Sequence, residues 1–381
     1  MQNYTQENIT LNYLELYWLD LPQKKVFQSG IGTRKSKETL LIKWVDQEGR
    51  AGYGECSCRP DPYFSAEFLE AAALALQHFI APQLKAAQSY EEVLRLMHKV
   101  RGWNFIKAAL EAAMHQVAKQ LPGFKPLEER LAMEKTEKVP VGISLGIYKD
   151  KNEFYEVVEE AIREGYQRLK FKISPAVDTR FFDHINALLF DQQVYVSFDA
   201  NGSFGEADLD KLAYFANTYE GCIEQPTPPD RFDLLLHAKR LHPQLKVCFD
   251  EEVEHIGDLV KLHSLNIIDE LNLKVGRVGG ISSSVRILNY CHQHGIPCWM
   301  GGMFETGVGR LQNLEIAAFM NGARAHDLSP SSRYFEEDII SPEIEMTGGF
   351  IDVAKALKNQ IVEEKIDRFS KKKMQIKINP C

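Results

Sequence analysis

Three carboxylates stand near the ends of successive short apolar runs in this 381-residue chain. They are Asp199 in Asp-Ala-Asn, Glu224 in Ile-Glu-Gln-Pro and Asp250 in Phe-Asp-Glu-Glu, at nearly constant intervals. A single aspartate at the end of a strand is often only a helix cap. Three carboxylates at the ends of neighbouring strands bring like charges together, which is unfavourable without a cation. Oxygen ligands without histidine or cysteine favour a hard ion, so the pattern predicts a Mg²⁺ site, with Mn²⁺ as a substitute.

Two lysines lie at the end of another run, in Lys170-Phe171-Lys172. Side chains alternate along a strand, so both lysines should point to one side, the interior if the strands close into a barrel, and Phe171 to the other side, toward the helices outside. Repulsion between the two ammonium groups, together with partial burial, is expected to lower the pKa of at least one of them. A lysine made less basic in this way can act as a general base. The alternative is an exposed strand end with two solvated lysines.

A third lysine, Lys274, ends a later run, and a barrel would place it across from the lysine pair. Alone it could form a Schiff base, but that role leaves the three carboxylates without a purpose. Zinc hydrolysis is disfavoured because no His-x-His stands at a strand end, and His326 is interpreted as a packed or capping residue. A cation between opposed lysines suits proton removal next to a carboxylate, because the cation and an ammonium group can stabilise the enediolate.

These residues fall within a regular alternation of short β-branched runs and helical patterns that begins near residue 137. The eight runs are Val139–Leu145, Arg168–Ile173, Val194–Ala200, Gly221–Glu224, Lys246–Asp250, Glu270–Val275, Pro297–Met300 and Ala323–Leu328. One strand with its returning helix takes roughly 25–30 residues, and eight such units close a barrel with its chemistry at the C-terminal strand ends. No glycine-rich dinucleotide loop follows the first run. We therefore predict the α/β class, with a (β/α)8-type barrel over residues 136–345.

Residues 1–135 have a different pattern, extended stretches followed by helical ones, which predicts an α+β capping domain in front of the barrel. Its extended and helical stretches are Leu11–Leu19, Thr39–Val45, Ala66–Ile80, Tyr90–Val100 and Ile106–Gln120. The segment Gln28–Thr33 is predicted to be a mobile loop. The loops around Ser29–Thr33 and Cys56–Tyr63 are expected to close over a substrate, the alternative being that they are only surface connections. The C-terminal segment 346–381 is expected to return toward this domain.

The composition excludes several classes of protein. A hydrophobic fraction of 44% suits a folded core, and a net charge of −8 lacks the basic footprint of nucleic-acid binding. No apolar stretch is long enough to span a bilayer, and Met1–Thr10 lacks the apolar core of a signal peptide. Seven scattered cysteines, an odd number, favour the reducing cytoplasm. We expect a small carboxylate as the partner, with neither nucleic acid nor membrane, and no sequence feature points to an oligomeric state.

Several motifs together carry a family resemblance. They are Lys170 and Lys172, Asp199 and Asn201, Ile223–Pro226, Asp250 and Glu251, Lys274, Arg277–Gly280, Gly301–Gly307 (Gly-Gly-Met-Phe-Glu-Thr-Gly) and Asp327–Tyr334. With this set the chain resembles the enolase superfamily and, within it, the o-succinylbenzoate synthases of menaquinone biosynthesis. The resemblance extends from the capping domain to about Phe350, and it implies an enolase-like barrel and cap.

The resemblance also implies roles for individual residues. The metal ligands would be Asp199, Glu224 and Asp250, supported by Asn201, Glu251 and Arg277. Lys172 would take the α-proton of a cyclohexadiene carboxylate and then assist departure of the hydroxyl group. Lys274 would stay protonated beside the enediolate, and Lys170 would tune Lys172 and contact the carboxylate. Substrate contacts are expected from Ser29, Ser144, Gly301, Gly302 and Met303.

Other functions stay open at this stage. An N-succinylamino acid racemase, or an enzyme with both activities, would use Lys172 and Lys274 as bases on opposite faces of the substrate. A dipeptide epimerase is disfavoured, since such enzymes usually carry Asp-x-Asp at the eighth strand, where this chain reads His326-Asp327-Leu328. A barrel that has lost catalysis and only binds other molecules is a remote alternative, because none of the lysines or candidate metal ligands of the family pattern is missing from this sequence.

Overall fold

The computed structural model describes residues 8–29, 32–182, 185–189 and 194–378. Its description of side chains leaves out residues 25–35, 186 and 187. Within the described ranges no helix is both long and apolar enough to cross a lipid bilayer.

As far as its residues are described, the N-terminal unit consists of antiparallel strands and three α-helices. Its elements are β1 (Ile9–Thr10), β2 (Tyr13–Ser29), β3 (Gly32–Val45), β4 (Ala51–Cys56), α1 (Leu69–Ala75), β5 (Ala87–Gln88), α2 (Tyr90–Lys99) and α3 (Asn104–Ala118). Strands β2, β3 and β4 pair in sequence order, and a π-helical turn over Leu76–Ile80 continues α1. Helix α2 begins at a capping box formed by Ser89 and Glu92.

Helix α3 lies directly against β4 because two glycines allow a close approach. A β-carbon on Gly52 would lie 2.1 Å from the carbonyl oxygen of Ala113, and one on Gly54 would lie 1.9 Å from that of Ala109. Neither distance is compatible with a side chain. The small residues on both elements therefore fix α3 in contact with the sheet.

The hairpin of β2 and β3 extends further than the sequence predicts. Gln28 pairs with Thr33 and Ser29 pairs with Gly32, so most of the predicted loop Gln28–Thr33 belongs to the strands. The prediction was wrong because glycines and small polar residues, which usually signal a loop, are also compatible with strands that pair only with each other. Gly30 and Ile31 lie outside the described residues.

Short strand β6 (Lys138–Pro140) leads into a seven-stranded parallel sheet that runs in sequence order. Its strands are β7 (Gly142–Leu145), β8 (Arg168–Lys172), β9 (Tyr195–Asp199), β10 (Ile223–Glu224), β11 (Val247–Phe249), β12 (Glu270–Leu273) and β13 (Cys298–Met300). The helices between and after them are α4 (Lys151–Arg163), α5 (Ile185–Leu189), α6 (Leu209–Thr218), α7 (Phe232–Leu241), α8 (Ile256–Ser264), α9 (Ile281–His294) and α10 (Gly307–Ala317).

The predicted eighth strand, Ala323–Leu328, is not a regular strand. Only Val141 and His326 form a bridge there. The segment still closes the barrel, since the amide of Asp327 donates to the carbonyl of Met300 and the amide of Gly142 donates to that of His326, at 2.9 and 2.8 Å. Seven strands and this irregular closure form an α/β barrel behind an N-terminal capping unit, so the predicted fold class is confirmed.

The C-terminal residues contact both parts of the molecule. Their elements are β14 (Ile340–Ser341), β15 (Phe350–Asp352), α11 (Val353–Ala356), β16 (Gln360–Ile361), α12 (Glu363–Phe369) and β17 (Ser370–Lys377). Strand β15 pairs with β6 beside the barrel, whereas β17 pairs with β2 and becomes the outer strand of the cap sheet.

Side chains along β8 point alternately toward the surrounding helices and into the barrel. Leu169 and Phe171 are fully buried on the helix side, where the ring of Phe171 lies 5.5 Å from that of Phe154 in α4. Lys170 and Lys172 point the other way, toward carboxylates of neighbouring strands. Burial of the apolar face against the helices therefore directs both lysines inward.

Candidate active site

Parallel register brings the polar strand ends together. Lys172 of β8 pairs with Asp199 of β9, and Asp199 pairs with Glu224 of β10. Asp250 follows β11 directly, and Lys274 follows β12. Three strands separate β8 from β12 in the sheet order, so the two lysine sites contact different carboxylates of the group, Asp199 and Glu224 on one side and Asp250 on the other.

Lys170 lies deepest among the three lysines and is surrounded by acids. Its Nζ is 2.8 Å from Glu224 Oε2, 3.0 Å from Asp327 Oδ2 and 4.0 Å from Asp199 Oδ2. Burial opposes the charge of this amine, but the three carboxylates outweigh burial and raise its pKa. Repulsion by the second lysine alone would lower this pKa, so for Lys170 the structure gives the opposite direction. Lys170 is therefore a charged residue.

Lys172 is closer to the mouth of the barrel, and its side chain is 23% exposed. Its Nζ lies 3.0 Å from Asp199 Oδ2 and also donates to Asn201 Oδ1. Burial raises the pKa of Asp199, but the charges of Lys172 and Lys170 outweigh burial and lower it overall. Of the two lysines on β8, Lys172 is the one that a bound molecule could reach.

Lys274 and Arg277 share one carboxylate. Nζ of Lys274 lies 2.7 Å from Asp250 Oδ2, and Arg277 contacts Asp250 Oδ1. Arg277 also donates to the carbonyl of Val253 at 3.0 Å, and burial lowers its pKa to about 10. Arg277 therefore anchors Asp250 and the backbone after β11.

The predicted supporting residues Asn201 and Glu251 contact each other. Asn201 Nδ2 donates to Glu251 Oε1 at 3.1 Å, and the backbone amide of Asn201 donates to Asp199 Oδ1 at 3.0 Å. Asn201 has φ of +43°, a left-handed conformation that asparagine tolerates better than most residues. Burial raises the pKa of Glu251, whose Oε2 is buried without a hydrogen-bond partner.

The candidate ligands Asp199, Glu224 and Asp250 are at most 4% exposed. Lysine amines contact all three, and within the described part of the chain their oxygen atoms do not form a set lying within 4.8 Å of one another. The donor set nevertheless fits a hard divalent cation, because it offers carboxylate oxygens and the partnerless Glu251 Oε2 lies buried beside them.

The predicted substrate contacts occupy different places. Ser144 donates to Asp327 Oδ2 at 3.1 Å. Gly301 lies where a β-carbon would approach Asn272 Oδ1 to 2.0 Å, and Gly302 packs against the carbonyl of Asp327. Met303 packs against the core of the cap instead. The side chain of Ser29 lies outside the described residues.

Sequence reasoning missed three residues that line the same interior. Asn272 donates to Glu224 Oε1 at 2.8 Å, and the ring of Trp299 lies 4.7 Å from Lys170 Nζ. Phe64, from the cap, places its ring 5.2 Å from Lys274 Nζ. Asn272 could have been found, since it lies two positions before Lys274 on the same face of a strand.

The cap also holds the barrel segment that follows β13. Lys37 Nζ donates to the carbonyl of Met303 at 3.0 Å. Buried Glu55 of β4 accepts hydrogen bonds from the amides of Thr306 and Gly309 at the start of α10 and from Thr306 Oγ1. The predicted motif Gly301–Gly307 is thus positioned from both sides.

A family model described as Enolase C-terminal domain-like matches residues 153–357, more than half of the chain. The chain belongs to the enolase superfamily. A solved structure of an enolase superfamily member from Listeria innocua has a TM-score of 0.88 and 29% identity, and the match covers 97% of this chain and 100% of that one.

Two relatives narrow the position within the superfamily. An o-succinylbenzoate synthase from Geobacillus stearothermophilus is 34% identical over 352 residues, which cover 91% of this chain and 92% of that protein. An N-succinylamino acid racemase from Amycolatopsis sp. is 32% identical over 352 residues, covering 90% and 92%. The chain is therefore an enzyme of the group that contains proteins of both names.

Proposed function

We propose that this enzyme is an o-succinylbenzoate synthase of menaquinone biosynthesis. It would dehydrate 2-succinyl-6-hydroxy-2,4-cyclohexadiene-1-carboxylate to o-succinylbenzoate. The observation that carries the proposal is that Lys172 and Lys274, on strands separated by three others, each bind a candidate ligand carboxylate, at 3.0 and 2.7 Å. Synthases are also among the relatives that cover nine-tenths of the chain.

Asp199, Glu224 and Asp250 would hold Mg²⁺, with Mn²⁺ as a substitute. Bound Mg²⁺ would supply positive charge that stabilises the negative charge developing on the substrate carboxylate. Asn201 and Glu251 would hold Asp199, and Arg277 would hold Asp250, through the contacts described above.

Lys172 would do the proton transfers. As a neutral amine it takes the proton from the carbon that bears the carboxylate, and the electron pair of that C–H bond moves into the carboxylate to give an enediolate. The electron pair then returns, the neighbouring C–O bond breaks, and the Lys172 ammonium gives its proton to the departing hydroxyl group. One water leaves and the ring becomes aromatic, so one group on one face serves both steps.

Lys274 would remain an ammonium group beside the enediolate. Its partner Asp250 is a buried carboxylate, and the ring of Phe64 in the cap covers the Lys274 amine. Lys170 would stay charged between Glu224 and Asp327 and hold these acids in place. The reaction then depends on one lysine that exchanges a proton, Lys172, and on two lysines that stay positively charged, Lys274 and Lys170.

A second candidate function is racemisation of N-succinylamino acids. The opposed positions of Lys172 and Lys274 favour it, since a racemase needs a base on each face of the α-carbon. It differs from the synthase in requiring Lys274 to exchange its proton as well.

The test is a pair of assays on the full chain with Mg²⁺. Loss of the cyclohexadiene is followed by ultraviolet absorbance, and N-succinyl-L-amino acids are followed by polarimetry. We expect dehydration with the higher kcat/KM, and loss of it in Lys172→Ala. An unchanged absorbance would overturn the proposal, and racemisation with the higher kcat/KM would make the racemase the main function.

A further inference from the structure

Two thiols and one carboxylate form a buried cluster in the cap, outside the site described above. Cys56 ends β4, Cys58 follows two residues later, and Glu67 stands just before α1. The two Sγ atoms lie 3.5 Å apart, and one ligand atom from each of the three residues lies within 4.8 Å of the others. Both thiols are fully buried and Glu67 is 7% exposed. Among the described residues this is the set of three such side chains that meets this distance.

We propose that Cys56, Cys58 and Glu67 bind a thiophilic divalent cation of the zinc type. Two thiolates bound to one Zn²⁺ at about 2.3 Å in a tetrahedral arrangement lie roughly 3.8 Å apart, close to the separation of these sulfurs. Soft sulfur ligands select zinc over magnesium, so this site and the barrel carboxylates take different ions. Three protein ligands leave one of the four zinc positions for another ligand.

The surroundings already hold two of the three ligands, Glu67 and Cys56, in place. Both oxygens of Glu67 accept backbone amides of α3, from Phe105 and Ile106, at 2.9 and 2.8 Å. Thr39 Oγ1 donates to the carbonyl of Cys56 at 3.1 Å. A ligand set fixed in this way needs little rearrangement to receive an ion, although each thiol must release its proton.

The position of the cluster gives the ion a structural role. The chain leaves the cluster at Cys58 and returns to it at Glu67, and the loop between them carries Phe64, whose ring lies beside Lys274. One ion would therefore fasten both ends of the loop that covers this lysine. The role does not depend on which reaction the barrel catalyses.

The test uses the reduced, chelator-treated full chain, with excess Mg²⁺ to occupy the barrel carboxylates. Co²⁺ alone is added, and thiolate-to-cobalt absorption is recorded until it is stable; Zn²⁺ is then added as a competitor. We expect saturation near one equivalent and loss of the absorption on adding Zn²⁺. Absence of thiolate absorption in the wild-type chain, or a mass showing that the thiols have formed a disulfide instead, would overturn the proposal.

Three variants assign the absorption to this cluster. Cys56→Ser combined with Cys58→Ser should abolish it, and Glu67→Gln should weaken Co²⁺ binding at least tenfold while both thiols remain. Cys291→Ser with Cys298→Ser is the matched control, because it removes a second buried, adjacent pair of thiols and should leave binding unchanged. Absorption that persists without Cys56 and Cys58 would overturn the proposal; if that variant does not fold, unchanged Co²⁺ affinity in Glu67→Gln would do so.

Discussion

Asp327 Oδ2 lies 3.0 Å from Lys170 Nζ, and the other oxygen of this carboxylate lies 2.6 Å from Arg168. Asp327 belongs to the irregular segment that closes the barrel. Burial raises its pKa, but Lys170 and Arg168 outweigh burial and lower it well below the usual range. The carboxylate therefore holds together the closure of the barrel and the base of the site.

Replacing Asp327 with asparagine should destabilise the protein by about 2–4 kcal/mol, because two buried cations lose a charged partner. The folded-state pKa of Asp327 is depressed, so its contribution is complete above the unfolded pKa and is lost as pH falls toward the folded value. Urea unfolding should show the difference from wild type at pH 7 and a smaller one near pH 3. Asp233→Asn, in the exposed pair with Arg231, is the control and should unfold like the wild type.

Lys172→Ala should lower kcat for dehydration on the order of 10³-fold or more, since the proton-transfer group is removed. Lys246→Ala is a matched control, because Lys246 is exposed at the opposite end of the barrel, before β11. Steady-state kinetics, with circular dichroism to verify folding, measures both variants. Turnover close to that of the wild type would mean that the base is another residue.

Asp250→Asn should raise the Mg²⁺ concentration needed for half-maximal activity more than Glu251→Gln does. Asp250 is a proposed ligand held by two cations, whereas Glu251 contacts the site through Asn201. Loss of a residue that only orients ligands typically costs about 10–100-fold in metal affinity, and loss of a ligand should cost more. Titration of apo-enzyme with Mg²⁺ measures both, and the reverse order would contradict the proposed roles.

Treatment with a chelator should abolish activity, and added Mg²⁺ or Mn²⁺ should restore it. Because the ion binds only the folded site, saturation at about 100 times Kd should also stabilise the fold by roughly 2.7 kcal/mol. Chelator already loaded with Mg²⁺ is the control and should leave the enzyme active. An enzyme indifferent to chelation would remove the argument from the three carboxylates.

His326 should make stability depend on pH. It is 1% exposed, and its Nδ1 accepts the amide of Met300 at 3.0 Å. Burial, with Arg168 nearby, lowers its pKa to about 3 from 6.5. Below pH 6.5 His326 binds a proton in the unfolded chain but not in the folded one. The free energy of unfolding therefore falls as the pH drops toward 3.

From pH 7.5 to pH 5 this histidine alone should cost about 2 kcal/mol of unfolding free energy. His326→Asn keeps an acceptor for Met300 and should remove that part of the pH dependence. His292→Asn, on the exposed side of α9, is the control. Equal pH dependence in wild type and His326→Asn would show that position 326 does not titrate as described.

The barrel and its inward lysines could be predicted because they follow from periodicity. A strand buried on its helix side, as at Leu169 and Phe171, must direct alternate residues inward, and regular spacing places the strand ends on one rim. Contacts between residues that lie far apart in the chain could not be predicted in the same way, because periodicity does not encode them. Phe64 reaches Lys274 from a loop without periodicity, and the pKa of Lys170 depends on Asp327, more than 150 residues away in the chain.

The pairing of β17 with β2 has a consequence for biosynthesis. Residues 370–377 leave the ribosome after the barrel has been translated, so during translation β2 presents an edge without its final neighbour. The sheet that contains β2 is thus begun before the barrel is translated and completed after it, and a stalled polypeptide that lacks β17 keeps an open strand edge that quality-control chaperones and proteases can recognise.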